Sequence, residues 1–294
     1  RVVSNGNHAE YVVVNQNLCT RIPDNTDIKE ASFTVLGSIA LHGLRLSETS
    51  LGSKVVVIGL GIIGQLVCRL AEAQGSEVIG IDPDTKRTDM SSNFYTSVEE
   101  ANMTNVDSVI ITAATSSNEP IEVATKIARN KAKIVVVGDI PLNISRNDFY
   151  YKELELVVSK SYGPGRYDKQ YEILGKDYPI EYVRWTENRN FEAFIKLLSQ
   201  NQIHLLDLVT EEVPFENAPS IYKKFSGEDK PLSIVLRYDN KSEPKIDFQR
   251  TVELEPKTEK VNLGILGAGN FASTTILPIL KELKKDWQVL GIAS

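Results

Sequence analysis

The residues of this chain best spaced for chemistry are three glycines, Gly59, Gly61 and Gly64. They sit in the turn Gly59, Leu60, Gly61, Ile62, Ile63, Gly64, which follows an apolar run at Val55–Ile58. The turn opens a segment that carries Ile63, Val67 and Leu70 on one helical face. In such a turn Gly59 permits the sharp bend, and Gly61 lets the main chain approach a diphosphate with no Cβ in the way. Gly64 lets the helix pack closely on the strand. The helix start would offer unbonded N–H groups and a positive dipole end to phosphate. A second apolar run, Val78–Ile81, ends at Asp82, 18 residues after Gly64. A carboxylate there is placed to accept hydrogen bonds from the ribose of an adenine dinucleotide. Its charge would repel a 2′-phosphate and so favour NAD over NADP, while Lys86 and Arg87 close by could tolerate one. The bland alternatives are a structural glycine turn in a parallel sheet and, for Asp82, the start of the Asp82-Pro83-Asp84 turn, which Asp suits.

In an open parallel sheet, ligands sit outside the carboxyl ends of the strands. The strand expected at Ser108–Thr112 leads into Ala113, Ala114 and Thr115, and that at Ile134–Val137 into Gly138 and Asp139. All five are candidate cofactor contacts. Leu154–Ser159 leads into the Gly/Pro-rich Ser161–Asp168, whose Arg166 and Tyr167 are candidates for catalysis beside the nicotinamide. Lys152 is a weaker candidate, and the segment also reads as a constrained turn with solvated ends. No metal site is expected. His8, His42 and His204 show no ligand spacing and read as hydrogen-bonded or surface histidines, and Cys19 and Cys68 are the only cysteines.

Positioning these turns requires strands alternating with helices, which implies βαβ units and an α/β, doubly wound, mostly parallel sheet. Helices are expected over Asp27–Leu46, Ile121–Arg129, Asn190–Leu198 and Glu216–Phe225. Further strands are expected over residues 9–14, Leu206–Thr210 and Leu232–Tyr238. Residues 241–260 hold five positive and five negative charges with two prolines and read as a solvated linker. Beyond them the theme returns: strand Val261–Leu266, a Gly267-Ala268-Gly269-Asn270 turn, a helix to about Lys284 and strand Gln288–Ile292. This second turn is expected to bind nothing by itself and to be disordered or packed on a neighbour. The chain of 294 residues opens at Arg1 and stops at Ser294 inside strand-like sequence, as a piece of a longer protein would.

With 33 basic and 39 acidic residues the net charge is −6, a poor basis for binding a phosphate backbone, so nucleic acid is not an expected partner. No apolar run approaches the ~18 residues that a membrane helix needs. Sparse cysteine and the lack of a signal peptide suit a reducing cytoplasm.

The segment VVVIGLGIIGQLVCRLAEAQGSEVIGID resembles the cofactor domain of the medium-chain dehydrogenase/reductase family, the relatives of alcohol and polyol dehydrogenases. HAEYVVV, IPD and EASFTVLGSIALHGLR resemble the end of that family's GroES-like catalytic domain and its connecting helix. DLVTEEVPFENAPSIYKKF and LSIVLRY resemble the segment that returns to it. The resemblance implies residues 1–45 as that catalytic remnant and helix, 46–168 as the Rossmann NAD(P)-binding domain and 169–240 as the return. It further implies hydride transfer to or from a sugar or polyol carbon, and a homodimer through the edge strand Leu154–Ser159. Where family members hold zinc, a Cys and a His come from a part of the domain that this sequence does not contain, and a further ligand would fall near Val35, which cannot ligate. Zinc is therefore not expected here. VNLGILGAGNFASTTILPIL resembles the start of the glucose-fructose oxidoreductase/inositol dehydrogenase (Gfo/Idh/MocA) family, over 261–294 only. Together with SYGPGRYD and DYPIEYVRWTENRN, the order of pieces resembles bacterial bi-domain oxidoreductases. That implies a sugar or nucleotide-sugar substrate and surface-polysaccharide synthesis. The competing reading is a non-catalytic dinucleotide sensor or scaffold.

Overall fold

The computed structural model describes residues 1–9, 11–224, 230–238, 261–267, 269, 271–283 and 287–293. The strands in chain order are β1 (Val2–Ser4), β2 (Cys19–Arg21), β3 (Lys54–Ile58), β4 (Glu77–Ile81), β5 (Phe94–Tyr95) and β6 (Val106–Ile111). They continue with β7 (Ala128–Val136), β8 (Glu155–Val158), β9 (Glu211–Pro214), β10 (Ile234–Arg237), β11 (Val261–Leu266) and β12 (Trp287–Ala293). Six of them form one sheet in the order β5-β4-β3-β6-β7-β8, every pair parallel. The chain builds outward from β3 to one edge and then returns to add β6, β7 and β8 on the other side. This is the doubly wound, Rossmann-like α/β fold, with its strand order reversing between β3 and β6.

Alternation along the central strands fills both faces of the sheet. Val55 and Val57 join Ile110 and Val135 in a core beneath the helices Thr34–Leu46, Ile62–Ala73 and Glu187–Ser199. Val56 and Ile58 turn to the opposite face, with Val109, Ile111, Ile134 and Val136, beneath the helix Glu119–Ile127. Phe194 is fully buried where helix Glu187–Ser199 meets helix Thr34–Leu46. A methyl group built on Gly37 would lie 2.1 Å from its ring, so the two helices approach as closely as a glycine allows.

Several elements depart from the sequence expectation. Residues 11–14 form no strand, and Tyr11 and Val13 lie exposed; β-branched content does not make a strand where no neighbour offers an edge. The pairing nearby is β1 with β2, antiparallel. The helix expected from Asp27 to Leu46 is two helices, Ile28–Ala31 and Thr34–Leu46. Asp27 caps the first by accepting from Lys29 and Glu30 N–H groups, and the Ser32 and Thr34 hydroxyls take the Lys29 and Ala31 carbonyls at the break. Leu206–Leu208 is a 3-10 turn rather than a strand, and β9 begins only after Thr210, whose hydroxyl accepts from Leu232 and Ser233.

The chain divides into two compact units, Arg1–Asp239 and Asn240–Ser294. In the second, β11 pairs in parallel with β12, and a π-helical turn at Ala272–Ile276 precedes the helix Leu277–Glu282. The linker reading of 241–260 and two positions of the second glycine turn, Ala268 and Asn270, lie outside the described residues. Among the described residues no helix is long and apolar enough to cross a membrane.

Replacing Phe194 by Ala is expected to lower unfolding free energy by about 3–5 kcal/mol, the cost of deleting a buried ring from a packed helix pair. Urea denaturation with an unchanged slope is the check.

Candidate dinucleotide site at the strand-order reversal

The turn after β3 crosses the point where the sheet's order reverses, between the ends of β4 and β6. Gly59 takes φ +98°, and its N–H donates to the Ile81 carbonyl (2.8 Å). A Cβ there would lie 2.5 Å from the Ala113 nitrogen, and one on Gly64 would lie 1.9 Å from the Gly59 carbonyl oxygen. Gly61 differs. It stands at the start of helix Ile62–Ala73 with no side-chain cap, and a Cβ built on it meets only Arg87 Nη1, 3.8 Å away. A Cβ at Gly61 would thus make one ordinary contact, with the Arg87 guanidinium, at the start of a twelve-residue helix whose first-turn N–H groups have no side-chain cap.

Asp82 is buried, 5% exposed, and holds this turn in shape. Its Oδ2 accepts from Leu60 N–H (2.7 Å) and Arg87 Nη1 (3.2 Å), and its Oδ1 accepts from Asp84 N–H (2.9 Å). A carboxylate offers about four acceptor positions, so room for a ligand hydroxyl remains on Oδ1. Asp82 therefore turns toward the glycine turn and not toward bulk water, and it also serves the Asp82-Pro83-Asp84 turn. Arg87 makes a second ion pair with Asp84 (3.4 Å), which places a guanidinium between the carboxylates and Gly61.

The other expected contacts lie along the same edge. Ala113, Ala114 and Thr115 follow β6, and Gly138 and Asp139 follow β7. These two ends are joined by Gly138 N–H to the Ile111 carbonyl (3.0 Å) and Thr115 N–H to the Asp139 carbonyl (3.0 Å). Ile62 and Ile63 are half-buried in the first turn of the helix, and Leu60 is fully buried. Thr112, which residue type alone did not single out, donates its hydroxyl to the Gly59 carbonyl (2.5 Å) and so ties β6 to the turn.

Lys152 is corrected. Its Nζ donates to the carbonyls of Thr125 (2.7 Å), Lys126 (2.9 Å) and Ala128 (2.8 Å), closing the C-terminal end of helix Glu119–Ile127. That places it where β7 begins, at the opposite edge of the sheet, with its three protons committed. Arg166 and Tyr167 do leave the carboxyl end of β8. Arg166 pairs with Glu172 (2.5 Å) and lies over the Tyr167 ring at 4.2 Å, while Tyr167 is 67% exposed.

Two titratable groups beside this loop escaped the spacing argument. His42 lies within reach of Gly163, and burial with the Arg45 charge pushes its imidazole down to about 4. Glu187 is fully buried, and burial with the Glu172 charge pushes its carboxyl up to about 8. Among the described residues no three His, Cys, Asp or Glu side chains converge as a metal would require.

With this geometry in place, comparison with known proteins is informative. The family described as "D-isomer specific 2-hydroxyacid dehydrogenase, NAD binding domain" matches residues 37–147, a span that contains the glycine turn, Asp82 and the ends of β6 and β7. The 2-dehydro-3-deoxy-L-galactonate 5-dehydrogenase of Pseudoalteromonas atlantica is 26% identical over 231 residues, covering 74% of this chain and 60% of the relative. A probable D-xylulose reductase A of Aspergillus terreus is 22% identical, covering 74% of this chain and 61% of the relative. Galactitol-1-phosphate dehydrogenase of Escherichia coli superposes with TM-score 0.62 at 20% identity, over 79% of this chain and 66% of that structure. By their printed names these proteins are dehydrogenases and a reductase, and the solved structure shares this chain's fold. The chain spans about three fifths of the length of the curated relatives it matches.

Gly64→Ala and Gly61→Ala should separate close packing from open cradle. The first is expected to cost several kcal/mol, because the new Cβ meets backbone, and the second under about 1 kcal/mol. Thermal unfolding of both variants checks this. The two shifted groups also predict a pH dependence. A neutral His42 loses stability as pH falls from about 6.5 to about 4, and a protonated Glu187 loses it as pH rises from about 4.5 to about 8. His42→Asn should therefore lessen the loss on the acid side and Glu187→Gln the loss on the alkaline side, read from urea midpoints across that range.

Proposed function

We propose that this chain is the cofactor-binding part of an NAD(P)-dependent dehydrogenase that transfers hydride to or from a carbon of a sugar or polyol. The observation that carries the reading is the uncapped helix start at Gly61, open to an anion at the sheet's reversal point and braced by Asp82. The diphosphate lies against the N–H groups of Ile62 and Ile63, and the adenosine ribose meets the remaining acceptor of Asp82. The nicotinamide supplies the hydride-transfer chemistry when bound. This chain's share is to orient it along the ends of β6, β7 and β8, near Ala113, Ala114, Thr115, Gly138 and Asp139. Arg166 and Tyr167 line the far end, where the substrate's oxygen is held.

The printed names of the relatives, which act on a deoxy-galactonate and on D-xylulose, support a small polar, polyhydroxylated substrate. Asp82 supports NAD as the preferred form. Arg87 is already paired to two carboxylates, which offset the attraction its charge would hold for a 2′-phosphate. Free thiols at Cys19 and Cys68 suit a reducing compartment such as the cytoplasm. The finer reading, a fusion to a Gfo/Idh/MocA-type domain in surface-polysaccharide synthesis acting on a sugar or nucleotide sugar, rests on the resemblance of residues 261–294. There the Gly267 turn follows β11, as the Gly59 turn follows β3. β8 stands at the edge of the sheet, which supports its expected use in a homodimer. The partition at residues 45, 168, 240 and 260 is part of the same proposal.

Calorimetric titration is expected to give tighter binding for NAD than for NADP. Gly61→Val should weaken both by about 100-fold or more, equal to ~2.7 kcal/mol, without lowering thermal stability. Equal binding by wild type and Gly61→Val would overturn the assignment. In Arg87→Ala the NADP affinity should fall further than the NAD affinity.

A further inference from the structure

The loop that leaves β8 gathers buried polar atoms with no hydrogen-bond partner among the described residues: Ser159 Oγ, Arg166 Nε and both carboxylate oxygens of Glu187. Native interiors rarely leave such atoms unpaired, and each one calls for an explanation. Glu187 opens the helix Glu187–Ser199, with Thr186 as its N-cap, and its N–H donates to the Pro164 carbonyl (2.9 Å), which fastens the helix to the loop. Arg166, on that loop, spends Nη1 on Glu172 and lies over the Tyr162 ring at 5.2 Å. A partly exposed cation with a buried, idle Nε and a buried carboxyl with idle oxygens thus lie in one cluster, and a second carboxylate holds the cation.

The groups around Glu187 set the terms of that competition. From the loop, Arg166 and Lys160 favour its charged form; from the helix Lys169–Glu172, Glu172 opposes it. Tyr162, Tyr171 and Tyr178 each feel Glu187 as a negative neighbour. The helix Thr34–Leu46 packs against helix Glu187–Ser199 and brings His42 and Arg45, of which Arg45 donates Nε to Asn190 (3.0 Å) and is taken. Asp168 accepts from the Tyr178 hydroxyl. Among the cations facing Glu187, Arg166 is the one whose buried Nε has no partner among the described residues.

We propose that Glu187 is a positioning residue whose proton decides which of two carboxylates holds Arg166. With Glu187 neutral, Arg166 rests on Glu172, as observed. When Glu187 gives its proton to solvent, Arg166 turns Nε to it and loosens from Glu172. The Tyr167 ring beneath the guanidinium, and with it the rim at the end of β8, then shifts. Burial and the Glu172 charge push the Glu187 carboxyl up to about 8, which puts the exchange within reach of ordinary pH. The link to cofactor binding rests on the proposed function; the exchange itself does not.

Trp185 reports on the cluster. It lies two residues from Glu187 with the Arg45 and Arg184 guanidinium carbons 3.3 and 3.8 Å from its ring centre. The chain has one other tryptophan, Trp287, so Trp287→Phe isolates the signal. In that background, carboxyl 13C NMR of 13C-glutamate-labelled protein is followed with Trp185 fluorescence from about pH 6 to about pH 9. One carboxyl is expected to titrate near 8, to disappear in Glu187→Gln together with the fluorescence transition, and to move down by about one pH unit or more in Glu172→Gln. The wild-type NMR signal and Glu172→Gln decide the matter even if Glu187→Gln fails to fold. A Glu187 carboxyl already ionised at pH 6, or one that titrates without any change at Trp185, would overturn the proposal. NADH affinity measured over the same range separates the two readings. A change at the same midpoint supports the rim placement, whereas NADH binding that stays flat while Trp185 responds supports the exchange and counts against the nicotinamide lying at this edge.

Discussion

The Asp82 side chain holds three separate pieces of backbone and side chain in one place: the turn after β3 through Leu60 N–H, the turn after β4 through Asp84 N–H, and Arg87. Leu60 is fully buried, so its N–H without Asp82 would be a buried donor with no partner, a penalty of about 1–3 kcal/mol. The shape of the glycine turn therefore follows from a charge placed at the end of the neighbouring strand. The same tie leaves the N–H groups of the following helix turn unspent. Gly59 N–H is taken by the Ile81 carbonyl and Leu60 N–H by the Asp82 carboxylate, while the helix that follows begins without a side-chain cap.

That arrangement depends on direction. All six strands of the main sheet run parallel, so the helices that follow β3 and β6 begin at one edge. The helices lie on opposite faces, which is why Val55 and Val57 belong to one core and Val56 and Ile58 to the other. The turns after β3 and β6 lead to helices on opposite faces, and the Thr112 hydroxyl on the Gly59 carbonyl ties the two turns together.

These features were unequally visible in the sequence. The strands expected at 55–58, 78–81, 108–112 and 134–137 announce themselves by apolar runs that suit burial on both faces, whereas β7 begins earlier, at Ala128, in a polar stretch expected to be helical as far as Arg129. The glycine turn and Asp82 are legible because the chemistry tolerates few residue types there. Residues 11–14 carry the composition of a strand and none of its pairing, since an edge to pair with is a property of the fold. β5 is two residues long, too short for any periodicity, yet Gly80 and Phe94 pair there to extend the sheet. His42 and Glu187 belong to no spacing pattern; they matter because helices distant in sequence bury them against the loop after β8.

The three cations near the expected site show most clearly where a sequence stops informing. Arg87 and Arg166 follow strands β4 and β8, Lys152 precedes β8, and composition treats the three alike. Lys152 sits at the amino edge, where the last carbonyls of a helix converge and absorb its three donors. Arg87 sits at the carboxyl edge between two carboxylates, its Nη1 the one atom near the Cβ position of Gly61. Arg166 is held by one carboxylate, shielded by two tyrosine rings, and keeps a donor in reserve. The three differ in how the fold spends their donors: Lys152 has all three committed to carbonyls, Arg87 is shared between two carboxylates, and Arg166 keeps a buried Nε without a partner among the described residues.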